Sequence, residues 1–287
     1  MKYLLLSVLC STAIFVTFKV TERFKTNLVR LISINYLVAA ALGFSFNHHQ
    51  VSFSDVLTSK WIQFALLIGV LYVLMFFLIG YSTRKAGLAV TTIANKLSMV
   101  IPILFSLVYF GEKNSVWKTS GLVLALIGVF LTCYKPIDKS KNIKLILLPI
   151  AIFIGSGCAD SIVKYTQSYH VPNHMALLFS AVVFFFALIA GIIAMLANSN
   201  NSIKNTTGSE IVGGIILGGA NFGSLYFFIM TLNNSKIDSS IIFGLNNLCI
   251  VLFALLFGLI LFHEKFSKLN FTGLLIAISS ILILLSF

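Results

Sequence analysis

The sequence predicts an all-α membrane protein of ten transmembrane helices arranged as a 5+5 inverted-topology repeat. Three observations predict it. The 287-residue chain is 59% hydrophobic and only 10% charged, with a mean hydropathy of +1.01; soluble domains carry about a quarter charged residues. Apolar stretches of about 20 residues, the length that crosses hydrocarbon as a helix, recur from end to end. The segment Val90–Leu131 is written again 152 residues later without a gap. In that second copy Asn95 recurs as Asn247, Phe105 as Phe257, Phe110 as Phe262, Glu112-Lys113 as Glu264-Lys265, Gly121-Leu122 as Gly273-Leu274 and Ala125 as Ala277. Backbone polar groups in lipid need internal partners, so only helices or a closed barrel can span. Alternating ten-residue segments are absent, which selects helices.

Taken in order, the first span covers 3–20. Its Met-Lys-Tyr start and Ser7-Val-Leu-Cys10 imitate a secretion or lipidation signal, but the apolar run continues to Phe18 without a cleavage-like pair, so the helix is expected to be retained. The others fall near 28–46, 61–81, 87–110, 116–134, 144–163, 174–197, 210–232, 239–262 and 269–286. Trp61 and Trp117 open spans three and five, where amphipathic rings favour the interface. The longest links, 47–60, 135–143 and 198–209, could not hold a soluble domain. The charged stretch Lys135–Lys144 is the joint between two five-span repeats, 1–137 and 144–287. Phe18-Lys19-Val20-Thr21 also resembles Val163-Lys164-Tyr165-Thr166, at an offset of 145. An odd number of crossings per repeat turns equivalent helices upside down relative to each other.

A net charge of +12 would suggest nucleic acid in a soluble chain. Here the lysines and arginines sit in short links, where anionic lipid head groups are a sufficient partner. With the amino terminus cytoplasmic, only Lys2, Lys60, Lys113, Lys118, Lys164 and Lys236 would lie on that side, so the basic residues favour external termini. Cys10, Cys133, Cys158 and Cys249 lie in apolar segments without CxxC spacing and read as small hydrophobes. Phosphate-binding glycine loops, HExxH, Gly-x-Ser-x-Gly and zinc spacings are missing. Pro172 between His170 and His174 argues against a helical two-histidine metal face. No enzyme activity, cofactor or metal is expected.

Inverted-repeat carriers bind substrate near the bilayer midplane, so the polar residues at that depth are the candidates. Lys96 lies ten residues into its span, about 13–15 Å from the nearer end, too deep to snorkel comfortably. Such a lysine costs on the order of 3 kcal/mol, so it is read as functional, an anchor for a substrate carboxylate or phosphate. The bland alternative has it bonding carbonyls of a helix broken near Pro102, which denies Ser98 O its usual donor. Thr92, Asn95, Met99 and Pro102 share one face of span four. Asn95, Asn246 and Asn247 either line the cavity or act as polar glue between helices. Asn35 and Asn221 are weaker cavity candidates. Asp160 and Lys164, one turn apart, form an ion pair, or Asp160 serves in proton coupling. Gly214-xxx-Gly218 and Gly219-xxx-Gly223, with Gly155 and Gly157, predict close helix contacts. Glu112 and Glu264 suggest turn-fixing bonds, and Asp238 a helix N-cap.

Pro102, Gly111-Glu112-Lys113 and Gly121 through Gly128, then His263-Glu264-Lys265 and Gly273, resemble the EamA-type repeat of the drug/metabolite transporter superfamily. The resemblance covers nearly the whole chain. It implies ten-helix carriers that export or exchange small metabolites, often amino acids or related compounds, with a cavity lined by spans three, four, eight and nine and with cytoplasmic termini. His263 and Ser280 depart from the pattern, standing where it has glycine. Lys96 is not part of it. Sugar-phosphate carriers of the superfamily use basic residues on spans four and nine, but Leu248 stands opposite Lys96 here.

The expected function is therefore a secondary transporter, exporter or exchanger, of small polar metabolites by alternating access in the cytoplasmic (inner) membrane. An organic-phosphate or anion antiporter, a lipid-linked substrate flippase and a non-transporting scaffold remain as alternatives. A small-molecule metabolite and membrane lipids are the expected partners, nucleic acid is not, and a homodimer is left open.

Overall fold

The structure is a computed structural model that describes residues 2–46, 56, 58–109, 116–133, 144–172, 175–197, 206–235, 239–262 and 267–285. These residues form eleven helices, and no strand occurs among them. They are α1 Lys2–Glu22, α2 Leu28–Ser45, α3 Ile62–Lys85, α4 Leu88–Leu97, α5 Val100–Tyr109, α6 Val116–Cys133, α7 Lys144–Tyr169, α8 Ala176–Leu196, α9 Gly208–Asn234, α10 Ser239–Phe262 and α11 Lys268–Leu285. Every expected span is helical, the fourth in two pieces. Seven helices (α1, α2, α3, α7, α8, α9 and α10) are each long and apolar enough to cross a membrane. At 10 residues apiece, α4 and α5 are each only about 15 Å long.

The helix ends have local causes. Asn27 caps α2, its Oδ1 accepting from Val29 N at 2.9 Å and Arg30 N at 3.3 Å. Between α3 and α4 the chain reverses through Gly87 at φ 108°, a conformation that glycine adopts without a Cβ clash. The break between α4 and α5 falls at Ser98-Met99. Pro102 has no N–H for Ser98 O, which accepts instead from Ile101 N at 3.0 Å. Expected bend and observed break therefore share one cause.

Packing joins α1 and α2 to α9, α2 and α3 to α8, α3, α4 and α5 to α7, α1 and α4 to α10, and α6 to α11. The buried core includes Phe18, Leu31, Ile32, Tyr36, Phe184 and Leu217, from α1, α2, α8 and α9. Phe76 of α3 wedges against it, 5.9 Å from the Phe18 ring and 5.4 Å from that of Tyr36. Apolar side chains also cover the outside: Val116 is 84% exposed, Leu196 73% and Ile260 67%. Surface of that kind fits lipid rather than water. Between α6 and α11, Ser280 Oγ donates to Gly121 O at 3.1 Å, giving the serine that replaces glycine in the second copy a buried partner.

Glycine spacing predicts these approaches unevenly. At Gly218 an added Cβ would lie 2.5 Å from Asn35 O, so α2 and α9 touch backbone to backbone there. At Gly219 nothing lies within 4 Å among the described residues. Gly214 and Gly218 make tight contact along α2, Gly223 closes on Cys10 of α1, and Gly155 and Gly157 of α7 close on Met75 and Ile101, so Gly219 alone of the expected set faces open space.

Candidate functional site

The site is built where the interrupted span meets α7. Asn95, on the last turn of α4, donates Nδ2 to Ser156 Oγ at 3.0 Å, pinning α4 to α7. One turn along α7 stands Asp160, which is exposed. Lys96, half-buried, follows Asn95 directly. Asn95 and Ser156 thus bring the helix of Lys96 against the helix of Asp160.

The remaining sequence candidates divide into two groups. Near the break, Asn247 Nδ2 of α10 donates to Met99 Sδ at 3.1 Å, so the asparagine repeated from Asn95 reaches the fourth span but not its mate's amide. Asn246 is 9% exposed, and its Oδ1 has no hydrogen-bond partner among the described residues. Such an orphan acceptor costs stability unless water or a ligand satisfies it. Leu248, expected opposite Lys96, is fully buried. Thr92 Oγ1 bonds back to Leu88 O at 2.8 Å within its own helix. Away from the break, Asn221 Nδ2 donates to Asn35 Oδ1 at 3.3 Å in the buried α2–α9 seam. Lys164, one turn beyond Asp160, is half-buried and engaged in interactions of its own. Glu112, Lys113, Glu264, Lys265, Asp238 and His174 lie outside the described residues.

Tyr72 also lines a narrow cleft with Val163, Gln167, Phe179, Ser180, Val183, Phe184 and Leu225. About 20 Å³ of room is open in it, the space of a water rather than of a metabolite.

Sequence reasoning missed a charged cluster at the start of α2 and α9. The Glu210 carboxylate, 1% exposed, accepts from Arg30 Nε and Nη2, both at 2.8 Å. It also accepts from Asn27 N at 2.7 Å and Thr207 N at 2.9 Å. Beside it the Arg84 guanidinium, at the end of α3, donates to Thr26 O and Thr26 Oγ1, each at 2.7 Å. Thr207-Gly-Ser-Glu210 is a legible S/T-x-x-E capping signal, and Arg30 stands inside an apolar run. That they meet, 180 residues apart, was not legible.

At the other end of α3 the contacts are aromatic. Trp61 meets Phe179 at 5.7 Å, and Phe64 stacks on His170 at 5.3 Å with 14° between planes. Tyr165 lies 5.8 Å from Phe64 and 6.0 Å from Tyr109, the last residue of α5.

Comparison with known proteins agrees with this architecture. Residues 1–134 match the EamA-like transporter family. Over 98% of its length the chain is 26% identical to an uncharacterized protein of Haemophilus influenzae, covering 96% of that protein. A WAT1-related protein of Arabidopsis thaliana is 33% identical over 94 residues, a third of this chain and 23% of that protein. A crystal structure at 14% identity aligns with 97% of this chain and 98% of its own, with a TM-score of 0.66, which shows a shared fold.

Proposed function

We propose that this chain, a multi-pass membrane protein whose residues 1–134 match the EamA-like transporter family, is a secondary transporter of small polar metabolites working by alternating access. Its spans form ten crossings in two inverted halves in the cytoplasmic membrane. The pattern of helix pairs supports the inversion. Exchanging the halves turns α1–α9 into α7–α3 and α2–α9 into α8–α3, while α2–α8 and α6–α11 map onto themselves; all of these pairs are packed. Two copies related by an axis in the membrane plane would pair in this way.

The observation that carries the transport reading is Lys96, in mid-span on a helix that is interrupted two residues later and is held by Asn95 against α7. A scaffold gains nothing from a charge at that depth, whereas a carrier needs a polar group a solute can reach. Lys96 anchors an anionic group of the solute. Asn95, Asn246 and Asn247 border the same break, and the orphan Asn246 Oδ1 is the acceptor a substrate donor would satisfy. Asn35 and Asn221, bonded to each other, hold the α2–α9 seam. The test is uptake into proteoliposomes across a panel of amino acids, nucleosides and phosphorylated metabolites. Lys96→Gln is expected to abolish uptake of the transported solute while leaving the melting curve in place. Unchanged uptake by that variant removes Lys96 from the mechanism.

A further inference from the structure

We infer that Ser156 is a positioning residue for Lys96: through Asn95 it sets the direction in which the end of α4 presents that lysine. The inference rests on the transport reading and adds to it a residue that no solute need touch. Its ground is the triplet Gly155-Ser156-Gly157, where α3, α4 and α5 each meet α7. Gly155 takes the end of Met75 from α3, and an added Cβ there would lie 2.5 Å from Sδ and 2.6 Å from Cε. Ser156 takes the Asn95 amide of α4 at 3.0 Å. Gly157 takes Ile101 of α5, whose Cβ and Cγ1 would stand 2.8 and 2.9 Å from an added methyl. Both arms of the interrupted span are thus seated on adjacent residues of a helix that runs unbroken over 26 residues.

Ser156 is spent differently from its neighbours. Ser161 and Thr166 of α7 return their hydroxyls to Gly157 O and Ile162 O, a common fate for such side chains inside a helix. Ser156, 6% exposed, accepts from another helix instead. Its leverage follows from where the bond falls. Helix α4 is 10 residues long and ends at Leu97, so Asn95 lies in its last turn. Consecutive helical residues stand about 100° apart round the axis, so holding Asn95 against α7 fixes the bearing of Lys96. A rotation of about 30° on a radius of about 5–6 Å would carry the lysine end about 3 Å, the full length of a hydrogen bond. The flanking glycines let α3 and α5 close at the same level without forcing α4 away. At the sequence offset of 145 the three positions are Cys10, Ser11 and Thr12 of α1, without glycine. Helix α10, which packs on α1, is unbroken over 24 residues. The glycine-flanked serine and the interruption go together.

The test reads the place of residue 96 directly, with uptake as a separate arm. In full-length protein whose four cysteines are replaced by alanine, Lys96→Cys is labelled with an ethylammonium methanethiosulfonate, whose rate reports thiol exposure. Adding Ser156→Ala should change that rate about fivefold or more, whereas Ser156→Thr, which keeps the hydroxyl, should stay within about twofold. Ser161→Ala should also stay within about twofold, since that bond is internal to α7. Asn95→Ala should reproduce the change, and Ser156→Ala on top of it should add nothing, because both act through one bond. The uptake arm uses whichever amino acid, nucleoside or phosphorylated metabolite the unaltered protein carries into proteoliposomes. There Ser156→Ala should raise KM about fivefold or more and leave kcat within about threefold. An unchanged labelling rate in Ser156→Ala overturns the inference, as does a further change when it is added to Asn95→Ala. Should Ser156→Ala fail to fold, Asn95→Ala, made from the half-buried side of the bond, decides in its place. Unchanged labelling beside Lys96-dependent uptake would refute the positioning role and leave the transporter reading standing. No uptake of any panel solute, with labelling changed, would refute the transporter reading and with it the role of Lys96 on which the inference rests.

Discussion

Two ends of the molecule solve one packing problem with different chemistry. At the start of α2 and α9, the two helices are joined by the buried Arg30–Glu210 pair, with two contacts of 2.8 Å and two backbone N–H groups on the same carboxylate. At the start of α8 and α3, Trp61, Phe64, His170 and Phe179 meet face and edge instead. A bidentate charge pair is directional and separates as a unit, because breaking it strands two charges. Ring contacts are worth about 0.5–1.5 kcal/mol each beyond their burial, and they can slide or separate singly. The charged end is therefore the tighter clamp of the two.

The largest effect expected from breaking this contrast comes from Glu210→Ala. It leaves Arg30 unpaired in a buried seam and strips the partners from Asn27 N and Thr207 N, so about 3–5 kcal/mol should be lost. A thermal or denaturant melt in detergent reads the loss, and a melting point within a degree of the parent would refute the clamp. Next comes the seam below it. Gly218→Ala should cost about 1–3 kcal/mol, because its methyl would press on the Asn35 carbonyl. Gly219→Ala, one residue on and into open space, should stay within about 0.5 kcal/mol; equal melts for the two would deny the close approach. Smallest should be Trp61→Phe at the aromatic end, where a ring still meets Phe179 and about 1 kcal/mol is at stake. Were it as harmful as Glu210→Ala, the two ends would be equally rigid.

Some of this was legible before any coordinates. Apolar length located the helices, most of them to within a few residues, since lipid permits little besides helix. Pro102 announced the interruption of the fourth span, because a missing N–H is a property of one residue. The place of Lys96 two residues before that interruption follows from the same counting. The seam glycines were half legible; spacing marks a small-residue face without saying which helix lies against it, and Gly219 turns out to face open space.

By itself, then, the sequence determined the helices and the break in the fourth, which depend on local composition or on counting along the chain. The tertiary structure alone decided the partners: Asn95 with Ser156, Arg30 with Glu210, Asn221 with Asn35, Asn247 with Met99. The physical reason is range. An electrostatic or hydrogen-bonded partner is chosen by distance in space, and residues 61, 180, 186 and 148 positions apart have no local signal that brings them together.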